Sequence, residues 1–422
     1  MCWKESMIAV IKESQEWNIF RAIRCFAWED FLKFYEYYHN GLNHEAREFQ
    51  EIIDKKGNTP LHRLCSIGSV PKFVLEKVLQ ILFSHGAISD VIGMQNDFGD
   101  TPLHIICRTS QRSKGNLTFL LRYCNKSNAL TTQNVEGQTP LHVAASSKAW
   151  FPVIHELVRA DPSPLLMQDN LGFIPAIALW NSTLSNVVVR FEIFDENRDV
   201  SDLPIFKKFW EKMKFLLLQT YKVDGHLTTK NYLCDSDDSN SSKQEILHAI
   251  FRYVCYETDK LFFAVRWDKS ILYDSFDKYG NLPIHILVSK NMCKLNEMNN
   301  DASFHMKYRL LRHCLLQNTE AAGTTDGEGR LLLHRLIENC PPSTSYVFDD
   351  WSELIHYTLY AAPKALGTRD VKTRFYPFMC AAMEGSIDQT FMLLIEKPEI
   401  LQFFSYTNQK HNNFKEILCC AS

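Results

Sequence analysis

Glycine and proline are scarce in this chain, with 16 and 15 in 422 residues. That excludes collagen-like and linker-rich architectures, which need far more of both. Long apolar runs are missing too, since none approaches the ~18 residues of a membrane helix. No transmembrane segment is therefore expected. The start, Met1-Cys2-Trp3-Lys4-Glu5-Ser6, leads into no apolar stretch of leader length before Lys12 and Glu13, so no signal peptide is expected. Charge of one sign is also in short supply. Lys+Arg number 46 and Asp+Glu 49, for a net charge of −3. A nucleic-acid partner is not expected without a basic stripe. Motifs that carry chemistry are missing as well: G-x-x-x-x-G-K-[ST], G-x-G-x-x-G, G-x-S-x-G and C-x-x-C do not occur. His155-Glu156 is not followed by a second His in the H-E-x-x-H frame. Thirteen cysteines without a secretory leader read as buried free thiols, so the expected compartment is the cytosol or nucleus. What the chain does have is 45% hydrophobic residues, the globular range.

Self-comparison is the informative step. Gly57-Asn58-Thr59-Pro60-Leu61-His62 returns as Gly99-Asp100-Thr101-Pro102-Leu103-His104 and again as Gly137-Gln138-Thr139-Pro140-Leu141-His142. Two weaker copies are Gly280-Asn281-Leu282-Pro283-Ile284-His285 and Gly329-Arg330-Leu331-Leu332-Leu333-His334. Gly172-Phe173-Ile174-Pro175 keeps the frame without the His, Ile246-Leu247-His248 keeps Leu-His, and Arg374-Phe375-Tyr376-Pro377 keeps the Pro. At the Pro position the units start at 60, 102, 140, 175, 246, 283, 332 and 377, so the spacings are 42, 38, 35, 71, 37, 49 and 45. A period near 33 residues with T-P-L-H-x-A belongs to ankyrin repeats. The chain resembles the divergent, insertion-rich members of that family from about Asp54 to Glu396. Trp28–His39 reads as the second helix of a degraded first unit. The resemblance implies an all-α solenoid of helix-turn-helix units joined by short hairpin loops.

The repeat chemistry agrees with that reading. Gly57, Gly99 and Gly137 supply the positive φ of a hairpin tip. Asp54, Asn96, Asp97, Asp169, Asp277 and Asp326, just ahead of the tips, tolerate left-handed geometry and close turns. Thr59, Thr101 and Thr139 cap the first helix, and Pro60, Pro102 and Pro140 occupy its first position, where no N–H is needed. His62, His104 and His142 sit in the first turn, within reach of the Thr or of loop backbone. Small residues follow: Cys65, Cys107, Ala144-Ala145 and Ala381-Ala382. The second helices carry apolar residues at helical spacing, as in Leu75, Val78, Leu79 and Leu82; Leu117, Leu120, Leu121 and Cys124; Met213, Leu216 and Leu217; Leu354, Thr358 and Leu359. Each unit has a face it buries only against its neighbours.

The spacing of 71 residues is the main departure. It accommodates either a hidden degenerate repeat or one repeat with insertions. The second is preferred, with helices over Pro175–Asn181 and Ile205–Tyr221. Val187–Phe194 between them reads as a protruding hairpin. Asp235–Ser242 reads as a polar, acidic, disordered loop. Further insertions are expected over Met292–Ala302 and Pro341–Asp350. Such loops are either tolerated surface excursions or a binding lobe. The implied organisation is an N-terminal helical cap with a degenerate first repeat (1–53), four well-matched repeats (54–185), an insertion-bearing region (186–245), divergent repeats (246–396) and a C-terminal cap or tail (397–422).

Several motifs need weighing. His62/Cys65 and His104/Cys107 have metal-ligand spacing, yet His and Cys are both repeat positions, so no metal and no cofactor are expected. Lys207, Lys208, Lys212 and Lys214, interleaved with Phe206, Phe209, Trp210 and Phe215, read as a solvated face backed by an apolar one rather than an anionic-ligand patch. Cys419-Cys420-Ala421-Ser422 fits a prenylation box in position, with weakly aliphatic middle residues. A single lipid at Cys419 would give only a weak anchor. No catalytic residues are expected. The resemblance implies a non-catalytic scaffold or adaptor that binds an unidentified protein partner through its hairpin tips and the concave face of its first helices. The tip positions are Lys55, Lys56, Asp97, Phe98, Val135, Glu136, Asn170, Leu171, Lys278, Tyr279 and Glu328. Phe98 and Tyr279 are the expected anchors, because aromatics dominate interface energies; the alternative for Phe98 is a contact with the adjacent tip. The rival readings are a lipid-anchored adaptor through Cys419 and an enzyme with its site in the insertions.

Overall fold

Helices begin where the sequence places Pro in the repeat frame. The computed structural model describes residues 19–40, 53–109, 114–187, 204–225, 239–253, 273–289, 301–341 and 348–399, apart from short breaks within them. Six first helices start on Pro: Pro60–Ser66, Pro102–Thr109, Pro140–Ser146, Pro175–Val187, Pro283–Ser289 and Pro377–Met383. Leu332–Glu338 starts on Leu instead. Among the described residues the only extended pairing is a single bridge between Thr325 and Leu331.

The chain forms two compact units, which meet in sequence at Asp224 and Gly225. In the first, Pro60–Ser66, Pro102–Thr109, Pro140–Ser146 and Pro175–Val187 stack in that order as one column. Trp28–Asn40, Lys72–Ser84, Lys114–Cys124 and Phe151–Ala160 stack as a second. Pro204–Val223 follows, with Phe215 edge-on to Phe151 at 5.2 Å. In the second unit, Ser239–Tyr253, Pro283–Ser289, Leu332–Glu338 and Pro377–Met383 form the first-helix column. Asp301–Gln317 packs on Phe348–Ala361, and Ile387–Glu396 on Pro377–Met383.

The core lies between the columns. Leu75, Val78, Leu79 and Leu82, then Leu117, Leu120, Leu121 and Cys124, then Met213, Leu216 and Leu217, and in the second unit Leu354, Thr358 and Leu359 are all buried. Each large aliphatic side chain contributes about 1.5–3 kcal/mol before chain entropy is subtracted. The small repeat residues Cys65, Cys107, Ala144 and Ala145 are buried where first helices face each other.

Five of the second helices are followed by a further short helical turn that the sequence does not announce. These are Ile88–Gly93, Asn128–Leu130 and Ser163–Leu166 in the first unit, and Thr319–Ala322 and Pro363–Gly367 in the second. They bury Ile92, Leu130, Leu165, Ala321 and Leu366 and lead the chain to the next tip.

The insertions need correction. The polar loop expected over Asp235–Ser242 ends early, because Ser239–Ser242 form the first turn of the helix Ser239–Tyr253. Ser and Asn are well suited to a first helical turn. Asp301 and Ala302 open Asp301–Gln317, and Phe348, Asp349 and Asp350 open Phe348–Ala361. Acidic residues there complement the positive end of the helix dipole. Val187 is the last residue of a first helix six residues longer than expected. The rest of the expected hairpin, through Phe194, lies outside the described residues, as do 235–238, 292–300 and the Cys419 box.

Candidate functional site

Five-residue hairpin tips recur with one geometry. At the second tip, Asn96 N donates to Asp100 O at 3.0 Å and Gly99 N to Asn96 O at 2.8 Å. The Asn96 side-chain oxygen accepts from Phe98 N and Asp100 N, each at 3.0 Å. Asp54, Asn134, Asp169, Asp277 and Asp326 make the same pair of bonds at their own tips. A left-handed Gly closes each of these tips, for example Gly99 at φ +70°. This Asx side chain replaces the bonds that a flexible loop would leave to water. The first and fifth positions turn inward and the second and third face solvent. Lys55, Lys56, Asp97, Phe98, Val135, Glu136, Asn170 and Leu171 in the first unit, and Lys278, Tyr279 and Glu328 in the second, are all exposed.

In the first unit neighbouring tips are joined to one another. Asp97 N donates to Lys56 O (3.2 Å), Val135 N to Phe98 O (3.1 Å) and Asn170 N to Glu136 O (3.1 Å). Gln95 Nε2 reaches both Gly99 O and Gln133 O at 2.8 Å, and Gln133 Nε2 reaches Gln168 O at 2.8 Å. The two alternatives for Phe98 thus divide between its parts. Its backbone contacts the next tip, while its ring is 57% exposed.

The repeat histidines tie the first helices to these tips. Thr59 N donates to His62 Nδ1 at 3.1 Å, so the ring proton is on Nε2, which donates to Asp100 O of the next tip at 3.0 Å. His104 reaches Gln138 O at 2.9 Å and His142 reaches Phe173 O at 2.8 Å in the same way. Burial pushes His62 down to about 4 and lowers His104 and His142 as well, so all three are neutral donors at pH 7. Both ring nitrogens of His62 and of His104 are committed to these bonds. Burial also pushes the Cys65 and Cys107 thiols far up, so they stay protonated. Among the described residues no three His, Cys, Asp or Glu side chains are grouped to hold a metal ion.

Residues 72–164 match the family model for ankyrin repeats, in three copies. This segment of the chain consists of ankyrin repeats. Ankyrin repeats are in general protein–protein interaction modules and typically non-catalytic. No curated protein matches the chain.

A groove of about 600 Å³ lies on the tip side of this ankyrin stack in the first unit. Asp97, Phe98, Val135 and Glu136, all named from the sequence, line it. Arg108, Val143, Ser146 and Ser147 line it too and were missed. The Thr-Pro-Leu-His pattern marks only the start of each first helix and does not single out these residues further along it. The Arg108 guanidinium holds Asp100 at 2.7 Å. In the second unit Lys278 lies over its neighbour's ring, 4.7 Å from the Tyr279 centroid. Of the lysines read as a solvated face, Lys207 and Lys208 are exposed, but Lys212 and Lys214 are half-buried, and Lys212 Nζ donates to Ala149 O. No helix among the described residues is long and apolar enough to cross a membrane.

Proposed function

We propose that this protein is a non-catalytic scaffold or adaptor that binds a partner protein through its hairpin tips and the adjoining face of its first helices. The observation that carries this reading is the row of tips in the first unit. Its outward residues are exposed while its backbone is locked from tip to tip. Such a surface loses little conformational entropy when a partner docks. Phe98 and Tyr279 are the anchors in this reading, because a rigid, exposed aromatic side chain brings large contact area at a low entropy penalty. The setting is a reducing compartment, cytosol or nucleus, in keeping with the buried free thiols of Cys65, Cys107, Cys124 and Cys314.

The test is affinity capture from native lysate followed by mass spectrometry. The wild-type chain is compared with one carrying Phe98→Ala and Tyr279→Ala. The expected result is a stoichiometric protein partner retained by the first and lost by the second. Equal retention by both chains would remove these tips from the interface. A small molecule that copurifies with turnover, in place of any protein, would overturn the non-catalytic reading.

A further inference from the structure

The groove of the first unit has a chemistry that narrows what it can hold. Its apolar wall is the Phe98 ring and the Val135 side chain, 57% and 68% exposed. Its rim carries two carboxylates, Asp97 and Glu136, both exposed. Neither pairs with a cation among the described residues. The cation that lines the groove, Arg108, is already neutralised by Asp100, which is 2% exposed. The groove is therefore apolar with a surplus of negative charge. Its volume of about 600 Å³ falls in the range of clefts that hold a drug-sized ligand, room for a few side chains of a partner.

We infer that this groove seats an extended segment of a partner protein in which an arginine lies beside an aliphatic residue. Arginine fits better than lysine for two reasons. Its planar fork can bond carboxylates bidentately, and its face can stack on the Phe98 ring. The aliphatic neighbour covers Val135, which otherwise stays in water. The rigid rim matters here, since carboxylates fixed on locked tips lose little freedom when they pair. This inference rests on the interaction-module reading and adds to it the chemistry of the partner.

A randomised peptide library displayed on phage, panned on the full chain, tests it. The expected enrichment is arginine next to Leu, Ile or Val. Binding of the selected peptide should fall about tenfold or more with Glu136→Arg. Changing the peptide's arginine to glutamate should restore binding to the Glu136→Arg chain, which a merely unfolded variant could not do. Arg→Lys in the peptide should weaken binding several-fold. Enriched peptides that lack arginine but are lost with Phe98→Ala overturn the inference and leave the tip interface standing. Enriched peptides indifferent to Phe98, Val135 and Glu136 overturn the inference, and the lysate capture then decides separately whether the tip interface falls with it.

Discussion

His142 shows how much one side chain carries in this protein. Its Nδ1 accepts from Thr139 N at 3.2 Å and its Nε2 donates to Phe173 O at 2.8 Å, so one ring closes a helix cap and holds the next tip. His142→Ala leaves the buried Thr139 N–H without its acceptor and removes one of two donors from Phe173 O, which still accepts from Asp169 N. The expected loss is about 1–3 kcal/mol of stability in urea unfolding; an unchanged midpoint would show that the bonds contribute nothing net. Arg374 presents the opposite case. It takes the left-handed position that Gly fills at the other tips, at φ +64°. Strain there, less the extra freedom Gly gives the unfolded chain, predicts that Arg374→Gly stabilises by about 0.5–1 kcal/mol. Thermal unfolding of the two chains measures it.

At the scale of elements, the tips are coupled by close backbone approach. A Cβ at Gly137 would sit 2.6 Å from Asn170 N in the next tip, whereas a Cβ at Gly172 would meet nothing within 4 Å. Both glycines have positive φ, +74° and +79°, so Ala is strained at either. Only Gly137→Ala also pushes the neighbouring tip away. Gly137→Ala is expected to be about 1–2 kcal/mol worse than Gly172→Ala, and to raise amide exchange at Asn170. Equal effects at the two sites would mean that the tips move independently. In the second unit an ion network does comparable work: Arg330 bonds Asp370 at 2.8 Å and Glu338 at 2.6 Å, and Arg335 bonds Asp326 at 2.8 Å.

For the whole molecule, the repeat makes stability depend on pH. Burial lowers His62, His104, His142, His285 and His334 below the ordinary value of 6.5. The unfolded chain therefore takes up protons first as pH falls through about 6.5. The stability held by the neutral imidazoles is complete above that value and is lost as pH drops toward about 4, where His62 and His285 titrate in the folded state. Burial would raise the Asp370 carboxyl, but the Arg330 guanidinium and the Lys372 N–H together outweigh it and hold Asp370 below its usual range. Its contribution is lost only below the unfolded carboxylate value of about 4. The melting temperature should fall steadily from pH 7 to pH 5, with the histidines responsible. A flat profile across that window would contradict buried neutral imidazoles.

The sequence by itself determined the repeat, the starts of the Pro-led first helices and the exposed tip positions. Those features are local: Thr139 and His142 lie three residues apart, and Gly137 answers a torsion of its own backbone. The second-helix faces were legible for the same reason, because burial follows a period within one helix. The tertiary structure decided the rest. Arg330 and Asp370 are 40 residues apart in sequence and no local pattern marks their pairing. The short helical turns after the second helices depend on what the neighbouring units leave uncovered. The groove draws Phe98, Arg108, Val135 and Ser147 from successive repeats, and only stacking brings them to one surface. Periodicity records which side of its own element a residue faces, whereas a binding surface depends on which elements stand side by side.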